Sequence, residues 1–284
     1  MPGVADTLRP HPELVHGIAA LRPEHGRLFV VVGVFDGLHL GHLYLLRHLR
    51  SAAAEHGARS CVITFDHHPD EILVGTAPAL LCDPAERLQL LADEGVDVTV
   101  VQTFDAELRM TTFDAFVRQI ADRVDLAGFL MTPDAAFGHE RRGTPDAVAA
   151  LGTVLGYDVV VVPALEVAGR QVRSSDIRAA ISRGRLDEAA VMLGRAYAVS
   201  GTLDRSPDAR QLVRFPMPVA LPPPGEYRVT LRSDGVRTVD PRIIAASVML
   251  DGSVELPDGS VASGSNHVRL IFEGDVQSSV TQVG

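Results

Sequence analysis

Apolar runs and leucine-rich helical patterns alternate over the first two-thirds of the chain. Short, continuous apolar runs are typical of strands buried on both faces, and they occur in RLFVVVGVF, SCVITFD, VDVTVVQTF, LAGFLMTPD and YDVVVVPAL. Apolar residues recur at helical spacing in HLYLLRHLRSAAAEHG, DPAERLQLLADEG, TTFDAFVRQIADR and TPDAVAALGTVLG. This alternation predicts an α/β domain with a parallel, Rossmann-like sheet covered by helices.

The pattern changes near residue 195, after two short predicted helices in SSDIRAAISRG and LDEAAVMLG. The segments AYAVSGTLDRS, GEYRVTLRSDG, ASVMLDGSVELPDG and NHVRLIFEGDV are strand-like and are joined by turn-forming residues. The segment PMPVALPPPGEY is too rich in proline for a helix or a central strand. We therefore expect an N-terminal segment (1–27), an α/β domain (28–195) and a small antiparallel, barrel-like β domain (196–284).

Composition narrows the functional classes. With 284 residues, 46% of them hydrophobic, the chain can build a full core, and its net charge of −10 argues against a non-specific nucleic-acid or membrane surface. Neither a membrane span nor a signal peptide is predicted. Cys61 and Cys82 show no metal-binding spacing; a disulfide between them stays open, and reduced thiols in a cytoplasmic protein are the simpler interpretation. The oligomeric state is not predicted.

The most informative stretch is VVVGVFDGLHLGHLYLLRHL (31–50), where a predicted strand passes into a predicted helix. Open α/β sheets bind ligands at the carboxyl ends of their strands. Gly33, Gly37 and Gly41 allow backbone N–H groups to approach a phosphate, and the helix N-terminus adds partial positive charge. His39 and His42 lie three residues apart, so both imidazoles can face one phosphate and stabilise developing charge.

An isolated histidine in this position is as often an ordinary half-buried residue as a functional one. The spacing also differs from the dinucleotide-binding G-x-G-x-x-G motif and from the P-loop. The full combination of strand, glycine, Phe-Asp-Gly, His-x-Gly-His and helix is much more specific than its parts. It favours a phosphate-binding site.

The stretch GVFDGLHLGH resembles the nucleotide-binding motif of the bacterial bifunctional riboflavin kinase/FMN adenylyltransferase (FAD synthetase) family, whose first domain is an HxGH nucleotidyltransferase. Further resemblances follow in the family's order between about Leu28 and Leu203. They are VITFDHHP to the family's TFDPHP segment, AFGHERRG to its FGxGRxG loop, VRSSDIR to its second motif (Ile-Ser-Ser-Thr-x-Ile-Arg), and LGRAYAVSGTL to its junction with the kinase domain.

The resemblance implies transfer of AMP from ATP to FMN, giving FAD and pyrophosphate with Mg²⁺. Whether protein residues or only the nucleotide hold the metal stays open. By this resemblance His39 and His42 hold the ATP phosphates, and Arg178 assists catalysis by binding the leaving pyrophosphate. The implied nucleotide-binding residues are Gly33, Phe35, Asp36, Gly41, Ser174, Ser175 and Arg178. The implied acceptor side is Asp66, Asp134, Phe137 and Arg141.

For several of these residues an ordinary structural role is the alternative. SSDIR alone reads as a helix start with a surface arginine, and Asp66 and Asp134 are equally compatible with turn or capping roles. The chain also departs from the family beside the expected acceptor, at His67, Thr132 and Ala135. These departures keep open a different phosphorylated acceptor, such as a modified flavin or a specialised metabolite, with ATP or CTP as donor. A non-catalytic nucleotide- or flavin-binding regulator is a third possibility, disfavoured by the presence of both histidines.

The C-terminal third departs further from the family. The riboflavin kinase signature Gly-Arg-x-Leu-Gly-Phe-Pro-Thr-Ala-Asn corresponds to RQLVRFPMPV, where Met217 and Val219 replace the threonine and asparagine that bind Mg-ATP. Methionine and valine offer neither a metal ligand nor a phosphate donor. Arg210 and Arg214 replace glycines, and Asn266 stands at the position of the catalytic glutamate. The sequence therefore predicts a barrel that has lost kinase activity.

Overall fold

The computed structural model describes residues 12–205, 211–233, 242–261 and 266–275. Its contacts divide the chain into two compact units that are not consecutive in sequence. The sheet unit comprises the residues up to Phe35, His42–Ala77 and Leu88–Ala164. The barrel unit comprises Asp36–Gly41, Pro78–Arg87 and the residues from Leu165 onward.

The sheet unit is built on six parallel strands in the order β1-β4-β3-β2-β5-β6. β2 and β3 are central and almost wholly buried, which explains their near-continuous apolar sequences. The strand bounds are β1 Glu13–His16, β2 Arg27–Val32, β3 Arg59–Phe65, β4 Val98–Gln102, β5 Asp125–Met131 and β6 Asp158–Val161.

Helices connect these strands. α5 is strongly amphipathic and buries Phe116, Val117 and Ile120 in the core of the sheet unit. α6 begins behind the N-cap Thr144, whose hydroxyl accepts the Ala147 N–H, and ends at the left-handed Gly156. The helix bounds are α1 Leu40–Glu55, α2 Asp70–Leu73, α3 Pro84–Asp93, α4 Ala106–Met110, α5 Phe113–Ala121 and α6 Pro145–Leu155.

The barrel unit contains a closed six-stranded antiparallel barrel in the order β10-β13-β12-β11-β14-β9. A two-stranded ribbon and two helices precede it, and the inner faces of both helices share one apolar core with the barrel. The bounds are β7 Glu166–Val167, β8 Arg170–Gln171, α7 Ser174–Ser182, α8 Leu186–Leu193, β9 Ala198–Arg205, β10 Gln211–Arg214, β11 Gly225–Ser233, β12 Arg242–Val248, β13 Val254–Leu256 and β14 His267–Asp275.

The predicted fold class, a parallel α/β sheet followed by an antiparallel barrel, is confirmed. The contacts nevertheless group the chain differently from the linear division at 195/196, because α7, α8 and two short loops pack with the barrel. β1, in the segment predicted to precede the domain, pairs with β4 as an edge strand. Cys61 and Cys82 are both buried and free.

Within the described ranges, no helix has the length and apolar character needed to cross a membrane.

We expect Gly128→Ala to destabilise the protein. The register between β2 and β5 shifts beside Phe29, and an added Cβ on Gly128 would lie 2.5 Å from the Asp158 carbonyl oxygen and 2.6 Å from the Phe29 ring. Overpacking of this kind costs about 1–3 kcal/mol of unfolding free energy. Urea unfolding measures the loss. Ala150→Ser, which adds one atom at an exposed position of α6, is the control, and equal stability of both variants would contradict the expectation.

Candidate active site

The loop between β2 and α1 leaves the sheet at the carboxyl end of a central strand, as predicted. Its backbone is unusual because Phe35, Gly37 and Leu38 have φ angles of 54°, 75° and 33°. Positive φ is unfavourable for residues with a side chain and persists only where the surroundings enforce it. At Gly37 a Cβ would also lie 2.7 Å from the Cβ of Leu81, so glycine is required there.

Asp36 anchors this loop within the barrel unit. Its side chain is almost fully buried, and its carboxylate accepts the N–H groups of Leu81 (2.9 Å) and Cys82 (3.3 Å). Nη2 of Arg178 donates to the same carboxylate at 2.5 Å. This buried carboxylate fixes the loop strongly, because loss of the arginine would leave a buried charge unpaired and loss of a backbone donor would leave an oxygen without a hydrogen bond.

Arg178 is itself held at two points. Besides Asp36, its Nε donates to the Ala79 carbonyl oxygen at 2.7 Å, and its side chain is only 19% exposed. The structure therefore places the predicted pyrophosphate-binding arginine in an ion pair that shapes the loop. Ser174 begins α7, and its hydroxyl donates to the Asp36 carbonyl at 3.3 Å. Ser175, beside it at the helix N-terminus, is exposed.

His39 follows the strained loop and is 5% exposed. Burial, followed by the positive charges of Arg195 and Arg178, lowers the pKa of its imidazole to about 4. The ring is therefore neutral at physiological pH and offers one N–H donor rather than a positive charge. Gly41 leaves space for the His39 ring, since a Cβ on Gly41 would be 3.1 Å from the imidazole and 3.3 Å from the Val172 carbonyl oxygen.

His42 lies three residues after His39, in the first turn of α1, and belongs to the sheet unit. Its ring packs against Phe35 with a centroid distance of 5.0 Å. The Phe35 ring in turn closes on Gly33, where a Cβ would lie 3.0 Å away. Phe35, Gly33 and His42 therefore form one packed group at the end of β2.

The predicted acceptor-side residues lie in the sheet unit. Asp66 accepts the N–H groups of His67 (2.8 Å) and Phe104 (3.3 Å). Burial acts to raise the pKa of Asp66, but hydrogen bonds from Thr103, His67 and Phe104 outweigh it and lower the pKa. Asp66 is therefore ionised at neutral pH and also shapes the turn after β3.

Asp134 and Arg141 meet in the loop after β5. The Thr132 hydroxyl donates to the Asp134 carboxylate at 2.8 Å, and Nη2 of Arg141 donates to the Asp134 carbonyl at 3.3 Å. Phe137 lies beneath them against Phe129, with a centroid distance of 5.8 Å. Beside it a cavity of about 90 Å³ opens at the ends of β2 and β5, and its lining includes Thr132, Ala135, Ala136 and Phe137.

The structure thus assembles the predicted residues as two sets. The first set lies in the barrel unit, in the strained loop or against it, and consists of Asp36, His39, Gly41, Ser174 and Arg178. In the sheet unit, the glycine–phenylalanine–histidine group lies at the end of β2, and the acceptor-side residues follow β3 and β5. Within the described ranges, no group of three or more His, Cys, Asp or Glu side chains is placed to hold a metal ion.

Sequence reasoning missed one residue at this loop. Arg195, in the stretch LGRAY, donates from Nη2 to the Gly37 carbonyl at 2.7 Å and from Nη1 to the Leu38 carbonyl at 3.0 Å. The only sequence signal was that LGRAYAVSGTL resembles the family's junction into its second domain.

The sequence model of the FAD synthetase family matches residues 21–176, more than half of the chain. The chain belongs to the FAD synthetase family. Two curated relatives are each named bifunctional riboflavin kinase/FMN adenylyltransferase. That of Pseudomonas fluorescens is 34% identical over 231 residues, covering 78% of this chain and 74% of the relative. That of Escherichia coli K12 is 25% identical over 282 residues, covering 94% and 90%.

A solved structure shows the same fold. The crystal structure of a protein titled a macrolide-efflux protein, from Streptococcus pneumoniae, superposes with a TM-score of 0.78. The match covers 94% of this chain and 91% of the other, at 22% sequence identity. At this identity the match establishes the two-part architecture of sheet and barrel alone.

We expect the stability of this FAD synthetase family member to depend on the protonation of His39. The unfolded imidazole gains a proton below pH 6.5 and the folded one only near pH 4, so the native state loses stability as the pH falls between these values. The loss at pH 5 relative to pH 7.5 is about 2 kcal/mol.

Urea unfolding at both pH values measures this loss. His39→Gln should reduce the difference between the two pH values, whereas His16→Gln, at an exposed position of β1, should leave it unchanged. The same pH dependence in His39→Gln and in the wild-type protein would contradict the assignment.

Proposed function

We propose that this chain transfers AMP from ATP to FMN, giving FAD and pyrophosphate, and that it does not phosphorylate riboflavin. The observation that carries the first half is the loop of glycines and histidines between β2 and α1 in a chain of the FAD synthetase family. A phosphate oxygen of FMN attacks the α-phosphorus of ATP, the bond from that phosphorus to the bridging oxygen breaks, and pyrophosphate leaves.

The chain's residues contribute positioning and charge stabilisation. His39 donates one neutral N–H to the phosphates from a buried site, where a hydrogen bond is stronger than in water. His42 stands beside the N-terminus of α1, whose unpaired N–H groups favour anions. Ser174 and Ser175 supply hydroxyls at the start of α7. Bound Mg²⁺ would supply neutralisation of the charge on the ATP phosphates.

Arg178 requires a revised role. Its Nε and Nη2 are engaged by Ala79 and Asp36, so those nitrogens support the loop in the described conformation. We infer that Arg178 acts on the pyrophosphate through its charge and through the loop that it holds, and that Asp36 acts on the nucleotide only by anchoring that loop.

A second candidate is the same chemistry on a different phosphorylated acceptor, with ATP or CTP as donor. The observation in its favour is the cavity at the ends of β2 and β5, which two alanines and Thr132 help to line. These small side chains leave room beside Phe137 for a substituent on the acceptor. A modified flavin mononucleotide is one acceptor of this kind.

The loss of kinase activity rests on what replaces the kinase residues in the barrel unit. Val219 forms a bridge with Leu80 and packs against the apolar core, and Arg214 pairs with Asp204 at 2.9 Å. The exposed Asn266 has an amide side chain, which is no general base. Arg210, the other glycine replacement, lies outside the described residues.

We expect purified protein with Mg²⁺, ATP and FMN to produce FAD and pyrophosphate, read by mass spectrometry and a pyrophosphate assay. His39→Ala and His42→Ala should each lower turnover by about 10²-fold, because each removes a donor to the transferring phosphate. His48→Ala is the control. His48 lies on the same helix, and its ring is hydrogen-bonded to the Tyr44 carbonyl oxygen. Wild-type turnover in both variants would contradict the assignment.

Parallel incubations distinguish the donors and acceptors. CTP in place of ATP tests the donor. Pyrophosphate release with a modified flavin mononucleotide, but not with FMN, would favour the second candidate. Nucleotide binding without any pyrophosphate release would instead indicate a regulator.

We expect riboflavin with Mg-ATP to give no FMN above a control without protein, because methionine and valine replace the residues that bind Mg-ATP in the kinase. The same preparation should form FAD when FMN is supplied, which shows that the protein is active. Flavin phosphorylation detected by chromatography would overturn this half of the proposal.

A further inference from the structure

The strained loop before His39 needs support on its carbonyl side as well as at Asp36. Asp36 and Gly37 are fixed from one direction, by the Leu81 N–H on the carboxylate and by the Gly37 N–H donated to Sγ of Cys82 at 3.3 Å. The carbonyl oxygens of Gly37 and Leu38 point elsewhere and need their own donors. Leu38, with a φ of 33° and a 1% exposed side chain, is the residue immediately before His39.

Arg195 supplies these donors with a geometry that few side chains can match. Its two terminal nitrogens reach successive carbonyls, Nη2 to Gly37 at 2.7 Å and Nη1 to Leu38 at 3.0 Å. Nη1 is also 3.4 Å from the Leu193 carbonyl at the end of α8. A planar guanidinium spans two acceptors in a fixed fork, whereas a lysine ammonium is a single point donor.

The residues around Arg195 hold its backbone in place. Gly194 ends α8 in the left-handed conformation, and a Cβ there would lie 2.5 Å from Cδ2 of Leu40. Tyr197 is buried, and its hydroxyl donates to the Ala220 carbonyl. The guanidinium therefore projects from a rigid junction between α8 and β9.

We propose that Arg195 is a positioning residue for nucleotidyl transfer, which it serves by holding the Gly37 and Leu38 carbonyls so that His39 keeps its orientation. This inference rests on the proposed adenylyl transfer for its effect on activity, and on geometry alone for its effect on the loop. Arg195 also contributes to keeping His39 neutral, through its charge.

The test compares Arg195→Ala, Arg195→Lys and the control Arg185→Ala. Arg185 is an exposed arginine at the start of α8 that pairs with Glu188 at 3.2 Å. With FMN and Mg-ATP, Arg195→Ala should lower kcat by about 10- to 100-fold, since a displacement of about 1 Å costs that much. The KM for FMN should change less than about twofold. Arg195→Lys should recover part of kcat, and Arg185→Ala should match the wild-type protein.

Hydrogen–deuterium exchange supplies a readout that needs no activity. Peptides covering residues 36–41 should exchange at least about threefold faster in Arg195→Ala than in the wild-type protein, while peptides from β3 should not change. Arg185→Ala should leave both regions unchanged. Faster exchange confined to 36–41 supports the inference even if FMN proves to be the wrong acceptor.

Three outcomes would overturn the inference. One is unchanged exchange of residues 36–41 in Arg195→Ala. Another is wild-type kcat in that variant. The third is a loss of kcat that accompanies faster exchange across the whole protein and is no smaller in Arg195→Lys, because that pattern indicates a general loss of stability.

Discussion

The candidate site depends on one buried ion pair. Asp36 and Arg178 meet at 2.5 Å with the carboxylate almost completely shielded from water. Desolvating two charges is costly, so the pair is stable only because the backbone N–H groups of Leu81 and Cys82 and the Ala79 carbonyl satisfy the remaining bonding positions. Removing one partner of such a pair is strongly destabilising, because the other charge is then left buried and uncompensated. Here the pair fixes the chain path immediately before His39.

The same arrangement gives the barrel a structural role that does not depend on kinase activity. Leu80, next to the anchored Leu81, donates its N–H to the Pro218 carbonyl and accepts the Ala220 N–H, both at 2.8 Å. Those two residues flank Val219, at the position of the asparagine that binds Mg-ATP in the family's kinases. This segment thus supports the loop network through its backbone alone, and the backbone role does not require threonine or asparagine side chains.

Much of the fold follows from local patterns, but the supports of the site do not. The five parallel strands and the helix after Gly41 could be predicted because each has its own local pattern, a continuous apolar run or apolar residues at helical spacing. The loop glycines and both histidines could be identified as candidate site residues because they cluster within ten residues. The contacts that hold the loop join residues 142 positions apart for Asp36 and Arg178, and 158 apart for Gly37 and Arg195. No local pattern encodes which arginine reaches which carbonyl.

The electrostatics of the loop are compatible with the proposed role of a neutral histidine toward a highly charged substrate. Arg178 and Arg195 both repel a proton from His39, and Asp36 pairs with Arg178. Two arginines therefore place positive charge beside the loop, while the imidazole in it is neutral. An imidazole with a pKa of about 4 cannot deliver a proton at neutral pH, and pyrophosphate is a leaving group that does not need one. The geometry thus fits a reaction whose barrier is lowered by fixed donors and fixed charge, with no proton transfer from the protein.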